Sequence, residues 1–482
     1  SLIFKMEADE RRPSRQIAEL LAKHLEIQPG QQELFLKVAR QEKSVEELEP
    51  PSPLSGSGPV PTSQLVSSNL PVPLTSIIGR EHEMRAIIQQ IQDPACRLLT
   101  LTGPGGVGKT RLALEVAHRL NESFKNGAPF VSLVGTSTSE FIVPAIAEAV
   151  GFVFSGATEL KVQLFNHFKE QQMLLILDNL EHLLSGIQLL DDLLEYAPGI
   201  KLLTTSREQL NLRAEWVFEV QGLPVSSHIE LDDLESNSAA ALFIQRARQT
   251  DVNFTPRAEN LPSITRICQL VDGLPLGLEL AATWVRMMSL PEVAREIERS
   301  MDFLTTTARD ASPRHRSMRA VFDYSWNLLS TEERQVMRKL SVFRGGFTRA
   351  AAEKVAGATL PLLSALLDKS LVRRNESGRY DLHELLRQYA NVQLRAEEQE
   401  EQAVCEGHAE FYLSLLEAHK PMLQSRRQRD ALAELSSETD NIRAAWDEAV
   451  SSRRLDLLRR GAWSLWYMYE LRTYFQEGEA LI

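Results

Sequence analysis

The sequence has 482 residues, of which 43% are hydrophobic and 24% charged, and its formal net charge is −12. This length predicts three or four domains, and the composition is typical of soluble globular proteins. The negative charge argues against a chain that coats nucleic acid through bulk electrostatics, although it says little about one small module.

The distribution of apolar residues and cysteines indicates a cytoplasmic protein. No apolar run approaches the ~18 residues of a membrane span, and the first residues lack the pattern of a secretory signal. The three cysteines, Cys96, Cys268 and Cys405, are odd in number and far apart, which favours buried thiols over disulfides or a zinc site. Both ends look cut, so we expect a fragment of a longer polypeptide.

Residues 1–43 are predicted to form short helices, with Ser14 as the N-cap of the second and a third at about 29–40. The string from Met6 to Ser14 resembles the end of the recognition helix and the following turn in phage-repressor-type helix-turn-helix domains. That resemblance implies DNA as a partner. Lys and Arg nearly balance Asp and Glu here, so a small helical cap without a DNA role remains the alternative.

Residues 44–75 are predicted to be a linker. The stretch 50–75 contains seven prolines, several serines and no charged residue. Such a composition cannot fill a core and is typical of a semi-rigid tether. We therefore expect the N-terminal module to move relative to the rest of the chain.

A phosphate-binding loop is predicted after the short apolar run 97–102. The loop reads Gly103-Pro104-Gly105-Gly106-Val107-Gly108-Lys109-Thr110, and residues with helical apolar spacing follow it. Glycines let backbone N–H groups approach a polyphosphate, and the helix N-terminus adds donors. Lys109 supplies a cation for the β- and γ-phosphates, and the Thr110 hydroxyl is a ligand for Mg²⁺.

Residues 76–228 are predicted to form an α/β nucleotide-binding domain. Further strands are expected at 130–134, 173–178 and 201–207, and helices at 82–91, 139–150 and 158–170. Alternating strands and helices imply a parallel sheet with ligands at its carboxyl edge.

Two residues that end predicted strands are candidate catalytic residues beside Lys109. Asp178 fits the acid that holds Mg²⁺, and Arg207 is placed to sense a γ-phosphate. An ordinary turn and a surface arginine are the alternatives. Asn179 follows Asp178, and an amide is a poor general base, so fast turnover is not expected. Glu181 is close by, but its direction is open.

The next two regions are predicted to be a helical lid, 229–312, and a winged-helix domain, 313–395. In the lid, a break at 272–277 precedes a helix expected at Leu278–Met288. In the second region, helices are expected at 316–328, 331–341, from 348, and at 360–369. A hairpin around the turn 375–378 then leads into a helix after His383.

Five motifs occur here in the order found in NB-ARC ATPases, and the chain resembles this family over about residues 74–395. They are Ile78-Gly79-Arg80, the phosphate loop, the strand ending at Asp178, Thr204-Thr205-Ser206-Arg207, and Gly273-Leu274-Pro275-Leu276. NB-ARC ATPases belong to the STAND class of signalling NTPases. The similarity is greatest to bacterial regulators with a repressor-like N-terminus and C-terminal helical repeats.

The resemblance implies an ATP/ADP switch that uses Mg²⁺ held by Thr110 and Asp178. Pro275 would contact the adenine, and His383 would touch the β-phosphate of ADP, although Leu382 and Glu384 depart from the family's Met-His-Asp motif. A helix break and a capped surface histidine are the alternatives for these two residues. The implied nucleotide-binding residues are Ile78, Gly79, Arg80, Gly103, Gly105, Gly106, Val107, Gly108, Lys109, Thr110, Arg111, Pro275 and His383.

Residues 396–482 are predicted to be helical and to begin a tetratricopeptide-like array, with its last helix at Leu471–Ile482. Such units bury their faces only by stacking, so the array is expected to continue. Core packing between helices is the favoured explanation for the aromatic residues there, over a ligand pocket.

The expected fold is thus multidomain: a P-loop parallel sheet, a helical lid, a winged helix and the start of a helical repeat. The leading hypothesis is a slow ATPase that acts as a switch and regulates transcription. Activation would come from an unknown inducer or protein at the C-terminal helices and would cause self-association. The alternatives are a nucleotide-gated interaction scaffold without DNA output, and an ordinary turnover ATPase.

Overall fold

A computed structural model describes residues 32–39 and 69–471, apart from 74, 137, 157, 227–229, 231–233, 235, 307–314 and 376. The chain divides into two compact units, 1–65 and 66–482. In the first, the described part is helix α1 (Gln32–Ala39), in which Val38 is buried. The rest of the predicted helix-turn-helix module, most of the linker and nearly all of the predicted helix at Leu471–Ile482 lie outside the described residues.

The second unit begins with a five-stranded parallel sheet of order β2-β3-β4-β1-β5. Its strands are β1 (Leu98–Thr102), β2 (Phe130–Ser132), β3 (Met173–Asp178), β4 (Ile200–Thr205) and β5 (Glu215–Glu219). The helices around it are α2 (Glu81–Gln92), α3 (Lys109–Leu120), α4 (Ile142–Ala149), α5 (Leu160–Phe168) and α6 (Gln188–Tyr196). The predicted α/β fold with a parallel sheet is confirmed.

Both faces of the central strands are buried, and this explains their continuous apolar sequences. Every residue of β1 and of β3 is buried. Alternate residues serve opposite faces: Leu99 belongs to the core that contains α3, whereas Leu98 belongs to the core that contains α4, α5 and α6. The sheet therefore lies between two layers of helices, with its carboxyl edge open for a site.

Residues 238–299 are mostly helical, as expected for this region. They comprise α7 (Ser238–Thr250), α8 (Leu261–Leu270), α9 (Pro275–Ala282) and α10 (Leu290–Arg299). The predicted helix Leu278–Met288 was wrong at both ends. Pro275 occupies the first turn, where its missing N–H costs nothing. Beyond Ala282 the backbone hydrogen bonds join residues three positions apart instead of four, as from Trp284 N–H to Ala281 O. The α-helix therefore does not continue.

Residues 318–395 follow the predicted element order closely. They comprise α11 (Met318–Asn327), α12 (Thr331–Leu340), α13 (Arg349–Ala356), α14 (Leu360–Asp368), β6 (Arg373–Arg374), β7 (Tyr380–Asp381) and α15 (Glu384–Arg395). Local sequence sets the helix starts. Ser330 and Glu333 form a reciprocal capping box at α12, and Ser317 accepts the N–H of Ala320 at α11.

The antiparallel hairpin β6–β7 is joined to its surroundings by ion pairs at both ends. Arg373 pairs with Asp272, in the turn before α9, and with Asp381. Arg379, in the hairpin turn, pairs with Glu438 through both of its terminal nitrogens. The hairpin thus contacts the α8–α9 turn on one side and the C-terminal helices on the other.

The C-terminal helices are α16 (Glu398–Leu423), α17 (Gln428–Ser436), α18 (Thr439–Ser451) and α19 (Leu455–Leu471). The long α16 packs against α18 and α19. Asn441 fixes α18 to the preceding region, because its side chain accepts the N–H of Arg344 and donates to the Gly346 carbonyl. Within the described residues no single helix has the length and apolarity of a membrane span, although the bent pair α13 and α14 reaches both when taken together.

Candidate nucleotide-binding site

The loop between β1 and α3 has the backbone that its glycines permit. Gly103, Gly106 and Gly108 have φ angles of +145°, +81° and +94°. Glycine at position 103 is also required sterically, because a Cβ there would lie 2.5 Å from the Val220 carbonyl oxygen. Since α3 begins at Lys109, its first backbone N–H groups have no partner inside the helix and are available to an anion.

A cavity of about 320 Å³ opens over this loop, within the size range of small-molecule sites. Its walls come from the segment 75–80, the phosphate loop, the carboxyl edge of the sheet and the helices α7 and α9. The first turn of α9 touches the loop directly, as Leu276 N–H donates to Gly106 O at 3.2 Å. The site is therefore enclosed by parts of the chain about 200 residues apart.

Lys109 lies at the base of the cavity. Its Nζ donates to the carbonyl oxygens of Gly103, at 2.7 Å, and Pro104, at 3.1 Å. Burial lowers the pKa of the ammonium to about 8, with a further lowering from Arg207, while the carboxylates of Glu181 and Asp178 act in the opposite direction. An added anion would restore the stability of the charged form.

The predicted magnesium ligands lie side by side. Thr110 Oγ1 donates to Asp178 Oδ1 at 2.6 Å, and Thr205 Oγ1 donates to the same oxygen at 2.7 Å. Burial raises the pKa of Asp178, and these two hydrogen bonds oppose the rise. A hydroxyl beside a carboxylate suits Mg²⁺, which binds few protein oxygens and completes its shell with phosphate and water. The donor set therefore fits this ion.

The residues that follow Asp178 form hydrogen bonds and an ion pair with neighbouring side chains. Asn179 has a φ of +71°, and its Nδ2 donates to His182 Nδ1 at 3.1 Å. His182 Nε2 lies 2.9 Å from the Thr136 carbonyl, so we assign the ring proton to that nitrogen. Glu181, whose direction the sequence left open, lines the cavity and pairs with Arg207 at 3.1 Å.

Arg207 lines the cavity and is buried, with 8% of its surface exposed. Besides Glu181 it contacts α11, where Nη1 donates to Val321 O at 2.9 Å and to Ser325 Oγ. Its guanidinium carbon lies 4.5 Å from the centre of the Tyr324 ring. No signal in the sequence linked Arg207 to residues more than 110 positions away.

Ile78, Gly79 and Arg80 lie beside the loop, and Ile78 and Arg80 line the cavity. Arg80 Nη2 donates to Val107 O at 3.2 Å and to Gln221 O at 2.6 Å. These contacts fix the wall segment 75–80 to the phosphate loop. Gly79, with a φ of +66°, lets this segment approach Ser238 closely, since a Cβ there would overlap its side chain.

Arg111 provides a direct sign that an anion fits the cavity. It lines the cavity, and its Nε and Nη2 are buried without a hydrogen-bond partner in the described part of the chain. A buried guanidinium donor without an acceptor is costly. Phosphate oxygens would satisfy it, so the arginine fits the expected ligand.

Part of the cavity lining is apolar. Pro275 and Leu276 of the Gly273–Leu276 motif line the cavity, together with residues that the motifs did not identify: Ile77, Leu223, Leu242, Arg246, Glu279 and His315. Arg246 pairs with Glu279 at 2.8 Å. Leu242 and Arg246 are four residues apart and share one face of α7, a spacing that could have suggested a common wall. Leu223 had no such signal.

His383 lies outside the lining of this cavity. Its Nδ1 accepts the N–H of Leu385, and its Nε2 lies 3.1 Å from Val271 O, to which it donates. Burial lowers its pKa to about 4, so the imidazole is neutral near pH 7. It lines a neighbouring space of about 20 Å³ with Pro104, Gly105 and Asp272. The structure thus places His383 near Pro104 and Gly105 of the phosphate loop but outside the large cavity.

Comparison with known proteins places these observations in a family. Residues 92–212 match a family model described as "AAA domain". "Putative HTH-type transcriptional regulator Rv0890c" of Mycobacterium tuberculosis is 32% identical over 406 residues, which are 82% of this chain and 44% of the relative. The chain therefore spans less than half the length of that relative.

A solved structure is similar in part. The Signal Transduction ATPase with Numerous Domains (STAND) protein with a tetratricopeptide repeat sensor, PH0952 from Pyrococcus horikoshii, aligns with 86% of this chain and 63% of its own. The identity is 14% and the TM-score is 0.29.

A second mycobacterial relative is matched over most of its length. "Uncharacterized protein Rv0894" of Mycobacterium tuberculosis is 31% identical over 329 residues, which are 66% of this chain and 81% of the relative. The matched family model and the loop geometry agree that the chain contains a P-loop ATPase domain of the AAA type. The chain belongs to the same protein family as Rv0894.

Proposed function

We propose that the chain is an ATP/ADP-dependent signalling switch of the NB-ARC type and part of a transcriptional regulator that self-associates on activation. The observation that carries the proposal is the enclosure of the phosphate loop. Leu276 of the α9 region bonds to Gly106, and α11 bonds to Arg207 across the same loop. A nucleotide in the cavity would contact both the loop and the helices packed over it, so its binding would be coupled to any separation of these parts.

Each expected ligand group has a matching protein group. The phosphates would be held by the loop backbone, Lys109 and Arg111, and Mg²⁺ by Thr110 and Asp178. Pro275 and Ile78, among apolar neighbours, suit a planar base. The choice of adenine rests on the resemblance to NB-ARC proteins. The bound Mg²⁺ would neutralise phosphate charge.

Slow hydrolysis is part of this proposal. Asn179 follows the acidic Asp178, and an amide cannot accept a proton from water. Glu181, a carboxylate that also lines the cavity, is paired with Arg207. Slow hydrolysis would let the protein remain for a long time in its ATP-bound state, as a switch requires.

A DNA-binding output is supported by the name of the relative Rv0890c and by the resemblance of residues 6–14 to a repressor-type motif. A winged-helix role for 313–395 and a tetratricopeptide-like role for the C-terminal helices, where an inducer or protein partner would bind, are also parts of the proposal. A nucleotide-gated scaffold without DNA output is the second candidate. DNA binding by the whole protein in the two nucleotide states would separate these candidates.

The nucleotide content of the purified chain tests the switch. We expect wild-type protein to release ADP on denaturation, at about one equivalent, and His383→Ala to release about tenfold less. The imidazole bonds the α8–α9 turn to the start of α15, and its loss favours separation of these regions. Chromatographic quantification of the released nucleotide measures both.

His408→Ala is the matched control for this experiment. His408 is also buried, with a pKa lowered to about 4 by burial, but it packs among the C-terminal aromatic residues. Equal ADP in the wild-type, His383 and His408 proteins would exclude the proposed part of His383 in nucleotide retention. A wild-type protein that neither retains nor binds adenine nucleotide would exclude the switch.

Nucleotide affinity is expected to fall with rising pH because of Lys109. Its pKa in the free protein is about 8, and bound phosphate would raise that value. Well below pH 8 the amine is charged with or without ligand, so the affinity is constant there. Above pH 8 binding requires proton uptake, and the affinity should fall by up to about tenfold per pH unit.

Calorimetric titration with ADP between about pH 7 and pH 9.5 measures this dependence, and the terminal phosphate, with a second pKa of about 6, does not titrate in that range. Buffers with different ionisation enthalpies should reveal proton uptake only at the higher pH. An affinity that stays constant across the range would contradict this linkage between the Lys109 proton and phosphate binding.

A further inference from the structure

Asn179 is held by its backbone beside the predicted magnesium ligands. Its N–H donates to Thr205 Oγ1 at 3.0 Å, and the same hydroxyl donates to Asp178 Oδ1 at 2.7 Å. Its φ of +71° lies in the left-handed region, which asparagine tolerates better than most residues that carry a side chain. Asn179 also lines the large cavity. Its side chain is therefore placed at the cavity wall, next to the carboxylate that would hold the metal ion.

His182 determines which way the Asn179 amide faces. With the ring proton assigned to Nε2, which donates to the Thr136 carbonyl, Nδ1 carries a lone pair and can only accept. Of the two polar atoms of the amide, only Nδ2 can donate, so Nδ2 takes the position 3.1 Å from Nδ1. The amide oxygen Oδ1 then lies on the side away from the imidazole. The orientation of the amide thus follows from the ring tautomer, which Thr136 fixes.

This orientation makes Oδ1 the amide atom available to the cavity. Asn179 lines the cavity and His182 does not, so the amide lies between the imidazole and the cavity. A carboxamide oxygen accepts hydrogen bonds through two lone pairs. In P-loop NTPases a side-chain amide can orient the attacking water without removing its proton. The position and the orientation of Asn179 suit this task.

We infer that Asn179 is the catalytic residue that orients the attacking water in ATP hydrolysis, and that His182 is the positioning residue that turns Oδ1 of Asn179 towards this water. The inference rests on the proposed function and extends it to the hydrolytic step. It also assigns a role to a histidine that lies outside the cavity. That histidine acts on the reaction only through the amide that it orients.

The reaction itself requires no proton transfer to the amide. Hydrolysis forms a bond between the water oxygen and the terminal phosphorus, and it breaks the bond from that phosphorus to the bridging oxygen. The bridging oxygen leaves with the electron pair as part of the diphosphate. The proton that the water loses ends on the released phosphate, so Asn179 accepts a hydrogen bond and never a proton. An amide that orients water without deprotonating it is consistent with slow hydrolysis.

Two substitutions of His182 separate its two hydrogen bonds. The short amide of asparagine can place its oxygen near the position of Nδ1, whereas the longer amide of glutamine can place its nitrogen near the position of Nε2. His182→Asn therefore keeps an acceptor for Asn179, and His182→Gln keeps a donor to Thr136 but loses that acceptor. Single-turnover hydrolysis of ATP with Mg²⁺ by the whole chain measures the rate. Calorimetry with a non-hydrolysable ATP analogue measures the affinity.

We expect His182→Gln to slow hydrolysis by about tenfold, the scale of one hydrogen bond, without a change in affinity for the analogue. His182→Asn should keep a rate close to that of the wild type. Asn179→Gly should slow hydrolysis at least as much as His182→Gln, because glycine keeps the positive φ and removes the amide. Thermal denaturation should give similar melting temperatures for the two His182 variants, which excludes a difference in folding as the cause.

Four results would contradict these expectations. A wild-type rate in His182→Gln would overturn the inference, and so would equal losses in His182→Gln and His182→Asn, which would assign the effect to the loop instead of Nδ1. A wild-type chain that binds ATP but does not hydrolyse it would overturn the inference and leave the nucleotide switch intact. A wild-type chain that binds neither ATP nor ADP would instead reject the proposed function, and the inference with it.

Discussion

Replacing Lys109 by alanine is expected to abolish nucleotide binding. The ammonium now bonds to the carbonyls of Gly103 and Pro104, and a polyphosphate in the loop would replace these acceptors with charged ones. Charge-assisted hydrogen bonds contribute about 3 kcal/mol when the partner is buried, so we expect at least about 100-fold weaker binding of ADP and ATP. Fluorescent-nucleotide titration gives the affinity directly.

Thermal denaturation provides an independent measurement of the same variant. A ligand that binds only the native state raises the melting temperature, so ADP should stabilise the wild-type protein but not Lys109→Ala. Lys161→Ala is the control, because Lys161 forms a surface pair with Asp192 on the outer helices of the sheet. If Lys109→Ala bound ADP with wild-type affinity, the loop could not be the phosphate site.

The largest loss of stability is expected from Gly273→Ala. Gly273 has a φ of +62°, and a Cβ there would lie 2.0 Å from the carbonyl oxygen of Leu223, a backbone atom that cannot rotate away. Because the two backbones lie this close, Leu223 N–H also donates a hydrogen bond to Gly273 O at 2.8 Å. We expect a loss of more than about 3 kcal/mol in the free energy of unfolding, because backbone strain and steric overlap combine.

Gly357→Ala separates these two causes. Gly357 has nearly the same φ, +67°, but nothing lies within 4 Å of the position of its Cβ. Only the conformational term remains there, and its cost should be about 1 kcal/mol. Urea denaturation of both variants measures the difference. Similar losses in the two proteins would show that the α8–α9 turn does not depend on its close contact with Leu223.

The parallel sheet and the main site residues were predictable because their signals are local. Fully buried parallel strands are continuous apolar runs, and β1 and β3 are such runs. Lys109 and Thr110 directly follow the Gly-rich loop in the sequence and begin α3, so their place beside the loop could be predicted. Strand β3 then delivers Asp178 to the same sheet edge, within 2.6 Å of Thr110.

The remaining features depend on packing that no local pattern encodes. Strand β5 was not predicted because it lies at the sheet edge, where Trp216 and Val217 are exposed and glutamates interrupt the apolar run. The contact of Arg207 with Val321 spans 114 residues, and that of His383 with Val271 spans 112. Such pairs arise from how the helical regions dock on the sheet, which sequence periodicity does not specify.

The hairpin β6–β7 has a mechanical consequence. Arg373 and Arg379 are six positions apart in this short hairpin. Arg373 forms an ion pair with Asp272, and Arg379 forms one with Glu438. A ribbon with two-residue strands has little rigidity of its own. Its position therefore depends on those two anchors, and we expect a movement of α18 to displace the turn that carries Asp272 and Gly273. The hairpin thus connects the C-terminal helices to the turn that precedes α9.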